Sequence, residues 1–185
     1  MYDSKGLIHS DRDNLDGRKI LFTNQSIPAS SSLADALVGA DVFLGLSKAD
    51  ILTEAMLQTM AKDCIVFALA NPNPEISYEK AMLARPDIIF ATGRSDFPNQ
   101  VNNVLGFPYI FRGALDVRAT KINEAMKLAA VHALAELTKL PVPQEVVDIY
   151  GGQPIEFGPK YILPKPFDSR LLSVVSYAVA KAAID

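Results

Sequence analysis

Apolar and polar positions along this chain alternate between two periods. The runs DVFLGL at residues 41–46, CIVFAL at 64–69 and DIIFAT at 87–92 are short, apolar or β-branched, and bounded by Gly, Pro or polar residues, so each predicts a buried strand. Segments of helical spacing lie between them. LADALV, capped by Ser31 or Ser32, stops at Gly39. Ile51, Leu52, Ala55, Met56 and Met60 share one stripe, with Ser47 and Asp50 at capping-box spacing ahead of it. A third, short helix runs from Ser77 to about Arg85 and ends at Pro86. This alternation predicts parallel βαβ units and an α/β fold class. Further on, Met126, Leu128, Val131, Leu134 and Leu137 predict one long helix over residues 120–138, closed by Pro141. Residues 139–167 are rich in Pro and Gly and are expected to run extended over the surface. A last helix from Asp168 packs Leu171, Leu172, Val175 and Val179. The pattern is weakest over residues 11–29, where DGRKILFTNQ fits a short helix or a strand. No repeat or low-complexity tract interrupts the chain.

Composition narrows the class. With 185 residues, 49% hydrophobic and 21% charged, the chain is long enough for one domain with a real core. Its net charge is −3 and its Lys and Arg are scattered, so a nucleic-acid partner is not expected. The single cysteine, Cys64, lies in an apolar run where it packs as a small hydrophobe, which predicts a reducing, cytoplasmic setting. MYDSKGLIHSDRD has no apolar signal region. The best apolar window, residues 36–46, is broken by Asp41 and falls well short of the ~20 residues that span a bilayer, so no membrane partner is expected.

Candidate chemistry concentrates in two loops that follow strands. Residues 70–76, ANPNPEI, follow the 64–69 strand, and residues 93–118, GRSDFPNQVNNVLGFPYIFRGALDVR, follow the 87–92 strand. In open parallel sheets, ligands sit outside the carboxyl ends of the strands. Asn71, Asn73, Arg94, Ser95, Asn99, Asn102 and Asn103 supply amides, a hydroxyl and one cation suited to a small polar or carboxylate ligand, although the same residue types also make turns. Arg94 fits either a carboxylate clamp or an arginine facing solvent or an acidic neighbour. His9 and His132 lack partners at metal-ligand spacing, and Asp96, Asp116 and Glu124 lack clustering, so structural, surface or capping roles are expected for them. No G-x-G-x-x-G run is present.

Those two loops, with GADVFLGLS at residues 39–47 and FGPKYILPKPFDSRL at 157–171, closely resemble the nicotinamide-binding domain of bacterial malic enzymes. The resemblance runs in order from about Tyr2 to Asp185, loosely over residues 11–32. It implies a partial Rossmann-like, doubly wound parallel sheet lacking its first strand and Gly-rich loop, plus C-terminal helices. Residues 1–185 would then form a single NAD(P)-binding domain portion, incomplete on its N-terminal side. In this alignment Asp3 matches the acidic residue on the adenosine ribose, implying NAD, with NADP possible. Gly45, Leu46 and Ser47 match the segment along the dinucleotide, and Asn71 matches an asparagine near the nicotinamide ribose and substrate. Asn102 and Asn103 match the pair that hydrogen-bonds malate.

The implied activity is oxidation of malate with NAD or NADP and Mg or Mn, followed by decarboxylation to pyruvate and CO2. The family's lysine base, tyrosine acid and metal carboxylates precede the matched region. Tyr78, Tyr109, Lys48 and Lys80 do not match them, so no catalytic residue and no metal ligand is assigned, and the chain alone is expected to be inactive. The implied partners are the missing N-terminal portion of the same enzyme and a second copy in a homodimer. With that portion absent, residues 1–29 are expected to pack poorly or to dock elsewhere. Two other readings stay open: a non-catalytic truncated paralogue serving as a binding or assembly module, and another nicotinamide-dependent dehydrogenase acting on a different 2-hydroxy acid.

Overall fold

A computed structural model describes residues 1–13, 15–23 and 25–184; Asn24, inside the ambiguous DGRKILFTNQ stretch, lies outside the described residues, as do Asn14 and Asp185. The chain forms two compact units, Met1–Ile89 and Phe90–Asp185.

The first unit opens with a hairpin in which β1 (Tyr2–Asp3) pairs antiparallel with β2 (Gly6–Leu7). Gly6 has φ of 102°, a left-handed conformation that glycine adopts without a Cβ penalty. Leu7, Ile8 and His9 are buried, so this part of the N-terminal segment packs. The ambiguous stretch forms a 3-10 turn at Lys19–Phe22, with Ile20, Leu21 and Phe22 exposed. Helix α1 (Leu33–Leu37) begins at a reciprocal capping box between Ser32 and Asp35. Strand β3 (Val42–Gly45), helix α2 (Glu54–Thr59), strand β4 (Ile65–Ala68) and helix α3 (Tyr78–Ala84) follow. The last strand, β5 (Ile89–Thr92), starts at the final residue of this unit, where the Ile89 N–H donates to the Cys64 carbonyl at 3.0 Å.

The sheet order is β3-β4-β5, and β3 pairs parallel with β4 from Val42–Ile65 to Gly45–Ala68. Each predicted strand is present; the first two lose a residue at each end and the third starts two residues later. Leu57, Val66, Ala68 and Ala81 are completely buried, and Cys64 packs among the buried residues, where burial pushes its thiol pKa up. On β3 the burial alternates: Phe43 and Gly45 point inward, while Val42 and Leu44 remain 57% and 58% exposed. A parallel strand with apolar residues on both faces is built to be covered on both. The C-terminus of α2 is held by Arg85, which donates to the carbonyls of Leu57 and Ala61, both at 2.9 Å, and pairs with Asp87 at 2.7 Å.

The second unit is helical. Helix α4 (Phe107–Asp116) and helix α6 (Gln144–Ile149) occupy regions that the sequence pattern assigned to loop and extended chain. Their starts explain the difference: Pro108 lies in the first turn of α4 and Pro143 is the N-cap of α6, places where a missing N–H costs nothing. Helix α5 (Glu124–Lys139) starts at Asn123, whose Oδ1 accepts from the Met126 N–H at 3.0 Å. Helix α7 (Arg170–Ile184) packs against both α4 and α5. Leu105, Ala114, Met126, Ala130, Leu137, Leu171, Val175 and Val179 form this core.

The approach of α4 to α7 depends on Gly113, where a Cβ would lie 2.4 Å from the Ser176 carbonyl oxygen and 2.8 Å from the Val179 Cβ. Gly113→Ala should therefore cost about 1–3 kcal/mol through overpacking. In thermal unfolding this lowers Tm by roughly 2–10 °C. Leu115→Ala, at a position 71% exposed, should leave Tm unchanged. Equal Tm values for the wild type and Gly113→Ala would contradict this packing.

Candidate functional site

In the first unit, the carboxyl ends of β3 and β4 meet over one buried side chain. Glu75 is 0% exposed. Its Oε1 accepts the Ser47 N–H at 2.9 Å and its Oε2 accepts the Ala70 N–H at 3.0 Å. The backbone beside it completes the junction: Leu52 N–H donates to the Glu75 carbonyl at 3.0 Å and Asp50 N–H to that of Pro74 at 3.3 Å. Gly45 makes room for this carboxylate, because a Cβ would fall 2.4 Å from the Glu75 Cδ and push that side chain aside. Around this buried centre Leu46, Ser47 and Asn71 face solvent, and the Asn71–Pro72 bond is cis.

The same junction corrects the expected helix start at Ser47 and Asp50. The Ser47 amide is bound to Glu75, Asp50 adopts φ of 58°, and α2 begins only after Thr53, whose Oγ1 accepts the Met56 N–H at 3.2 Å. In the β1–β2 hairpin, Asp3 is enclosed by cations. Arg12 donates to both of its oxygens at 3.0 Å, Lys19 reaches Oδ2 at 2.8 Å, and the Lys5 N–H adds a bond at 2.9 Å. Arg12 first, and then Lys19, hold the Asp3 carboxyl well below the usual carboxylate range. Two cations thus converge on one carboxylate, and Asp16, which accepts the Arg18 and Lys19 N–H groups at 2.9 Å, lies beside Lys19.

The second unit sorts the amides of the 93–118 loop. Asn99 is 2% exposed and adopts φ of 56°. Its Nδ2 donates to the carbonyls of Phe90 at 2.9 Å and Pro159 at 2.7 Å, and its Oδ1 accepts the Ile162 N–H at 2.9 Å. The side chain is therefore structural and not presented to a ligand. Asn102 and Asn103 sit together at the start of the 3-10 turn Asn103–Leu105, both exposed, with the Asn102 Oδ1 accepting from Val104 N–H at 3.0 Å. Arg94 pairs with Asp96 at 2.6 Å and lies over the Phe97 ring, as the acidic-neighbour reading expected. Asp116 pairs with Arg112, His132 is exposed, and the His9 Nδ1 accepts the Asp11 N–H at 3.2 Å. Glu75, Arg12 and Lys19 were missed by the sequence reading. For Glu75 the available signal was a carboxylate flanked by Pro74 and Ile76 in a loop whose neighbouring strand ends in Gly45.

Residues 1–150 match the family model described as malic enzyme, NAD binding domain. The chain belongs to the malic enzyme family. It is 56% identical over 185 residues to an NADP-dependent malic enzyme of Halomonas elongata, covering all of this chain and 43% of that protein. It is also 52% identical over 184 residues to an NADP-dependent malic enzyme of Escherichia coli, covering 99% of this chain and 24% of that one. A crystal structure of Entamoeba histolytica malic enzyme aligns with a TM-score of 0.83 at 38% identity, over 100% of this chain and 36% of the other. The chain thus spans between 24% and 43% of the length of these malic enzymes, and its α/β fold is theirs.

In this malic enzyme chain, Asn99→Ala should lower stability by at least ~2 kcal/mol, because buried backbone groups lose their partners. Chemical denaturation measures it. Unchanged stability combined with weakened malate binding would return Asn99 to the ligand-facing amides.

Proposed function

We propose that this chain contributes the cofactor-holding and substrate-holding loops of an enzyme that oxidatively decarboxylates malate to pyruvate and CO2 with NAD or NADP. The observation that carries the reading is the junction at Glu75, which presents Ser47 and Asn71 at the carboxyl ends of adjacent parallel strands, where ligands of such sheets bind. Gly45, Leu46, Ser47 and Asn71 line the dinucleotide, with Asn71 also serving the substrate. Exposed Asn102 and Asn103 donate amide hydrogens to a malate carboxylate.

Asp3 belongs to the adenosine end of the cofactor. The basis on which it implied NAD changes, because its charge is matched by Arg12 and exceeded once Lys19 is counted. Two cations here offer charged donors to a 2′-phosphate, so NADP is accepted at least as well as NAD.

Oxidation at C2 of malate needs a base for the hydroxyl proton, and the enol left by decarboxylation needs a proton donor. Among the described residues no three His, Cys, Asp or Glu side chains converge, so this chain by itself offers no complete site for the implied Mg or Mn ion. Base, acid and ion all come from an N-terminal portion of the same enzyme, for which the bare Val42 and Leu44 of β3 offer a packing face. Among the described residues, no helix is long and apolar enough to cross a membrane. A cytoplasmic homodimer is the assembly this reading expects.

Steady-state kinetics of a full-length malic enzyme carrying this sequence test the assignment. Arg12→Ala and Lys19→Ala should each raise KM for NADP about tenfold more than KM for NAD, the loss of one charge-assisted bond. Asn103→Ala should raise KM for malate about tenfold and leave the cofactor KM unchanged. Equal effects on both cofactors, or on cofactor and malate alike, would remove these residues from the roles given.

A further inference from the structure

We propose that Glu75 is a positioning residue for the cofactor, setting the Ser47 and Asn71 loops and closing the space between them to anionic groups. This rests on the dinucleotide reading given above. Carboxylates are rarely buried without partners, since desolvation of the charge must be offset by hydrogen bonds to it. Glu75 is 0% exposed, and each of its oxygens is committed to one loop amide, Ser47 N–H on one side and Ala70 N–H on the other.

Two backbone amides facing inward at adjacent strand ends would otherwise form a cradle for an anion such as phosphate. Here the anion is supplied from within the chain. The loops are thereby held at fixed separation, and the negative charge just beneath them disfavours a ligand phosphate. The part of the dinucleotide that suits this place is its uncharged or cationic end, the ribose and oxidised nicotinamide. Gly45 serves the same arrangement by giving its Cβ volume to the carboxylate. Ser47 and Asn71 themselves are exposed, so the contact between the two loops runs through Glu75.

The test has two arms. In the 185-residue chain, amide hydrogen exchange should show Ser47 and Ala70 protected. Glu75→Gln puts an N–H2 group where one carboxylate oxygen stood, facing an amide donor, so at least one of the two amides should exchange tenfold faster while the β3–β4 ladder keeps its protection. In a full-length malic enzyme carrying this sequence, Glu75→Gln and Gly45→Ala should each raise KM for NAD(P) tenfold or more and KM for malate by clearly less, since malate loses only Asn71 and keeps Asn102 and Asn103.

Unchanged amide exchange together with unchanged cofactor KM overturns the proposal. Loss of ladder protection overturns it too, by making Glu75 a residue of the whole fold. A rise in KM for malate as large as that for NAD(P) likewise denies a specific positioning role. If the unsubstituted enzyme shows no saturation by NAD or NADP, the dinucleotide reading itself fails, an outcome distinct from the others.

Discussion

The buried carboxylate of Glu75 is the constraint on which the functional end of the first unit depends. A charge fully removed from water is tolerated only where hydrogen-bond donors converge on it. Satisfying that requirement brings Ser47 and Ala70 to one side chain and fixes the loops after β3 and β4 against each other. It also uses the room that glycine leaves at position 45 and draws residues 50 and 52 into backbone bonds with residues 74 and 75. Chain that might have extended α2 backwards is thereby held as loop, and Leu46, Ser47 and Asn71 are left facing outward. One electrostatic requirement thus produces both the order and the accessibility of the loops.

Charge compensation recurs wherever an irregular segment needs a fixed path. Arg85 binds Asp87 while its guanidinium closes the C-terminal carbonyls of α2, and the adjacent carboxylate holds its pKa high. In the second unit, Asp168 is 2% exposed and receives three guanidinium bonds and the backbone N–H of Arg170, which also reaches the Pro141 carbonyl at 2.8 Å. That pair secures the Pro-rich segment before α7. Asn99 does the equivalent with a neutral amide, tying the strand at Phe90 to Pro159 and Ile162. Removing either partner of such a buried pair leaves the other unsatisfied, so these residues act on stability before they act on chemistry.

Much of the fold was legible in the sequence, because short apolar runs separated by caps and prolines have few other interpretations. The strands around Phe43, Val66 and Phe90 and the capped helices after Ser32 and Ser77 all appear where the pattern places them. Helices α4 and α6 were obscured because Pro108 and Pro143 read as breakers when they are in fact starts. Asn71, Asn102 and Asn103 were legible as polar residues after strands, and all three are exposed. Asn99 has the same composition signal and the opposite role, since burial of an amide cannot be read from its neighbours in sequence. Glu75 was hidden for a related reason: a glutamate in a loop is ordinarily solvated, and only the fold shows the two amides that hold it. Asp3 was visible, but its charge surroundings were not, because Arg12 and Lys19 reach back to it from the segment beyond the hairpin.

The most direct test is a crystal structure of a full-length malic enzyme carrying this sequence, with NAD(P) and malate bound. The account predicts the dinucleotide lying along Gly45 to Ser47 and within hydrogen-bond distance of Asn71, malate on Asn103, and Glu75 still bound to the Ser47 and Ala70 amides without touching either ligand. A dinucleotide bound away from these strand ends, or a phosphate occupying the Ser47 and Ala70 amides with Glu75 displaced, would contradict it.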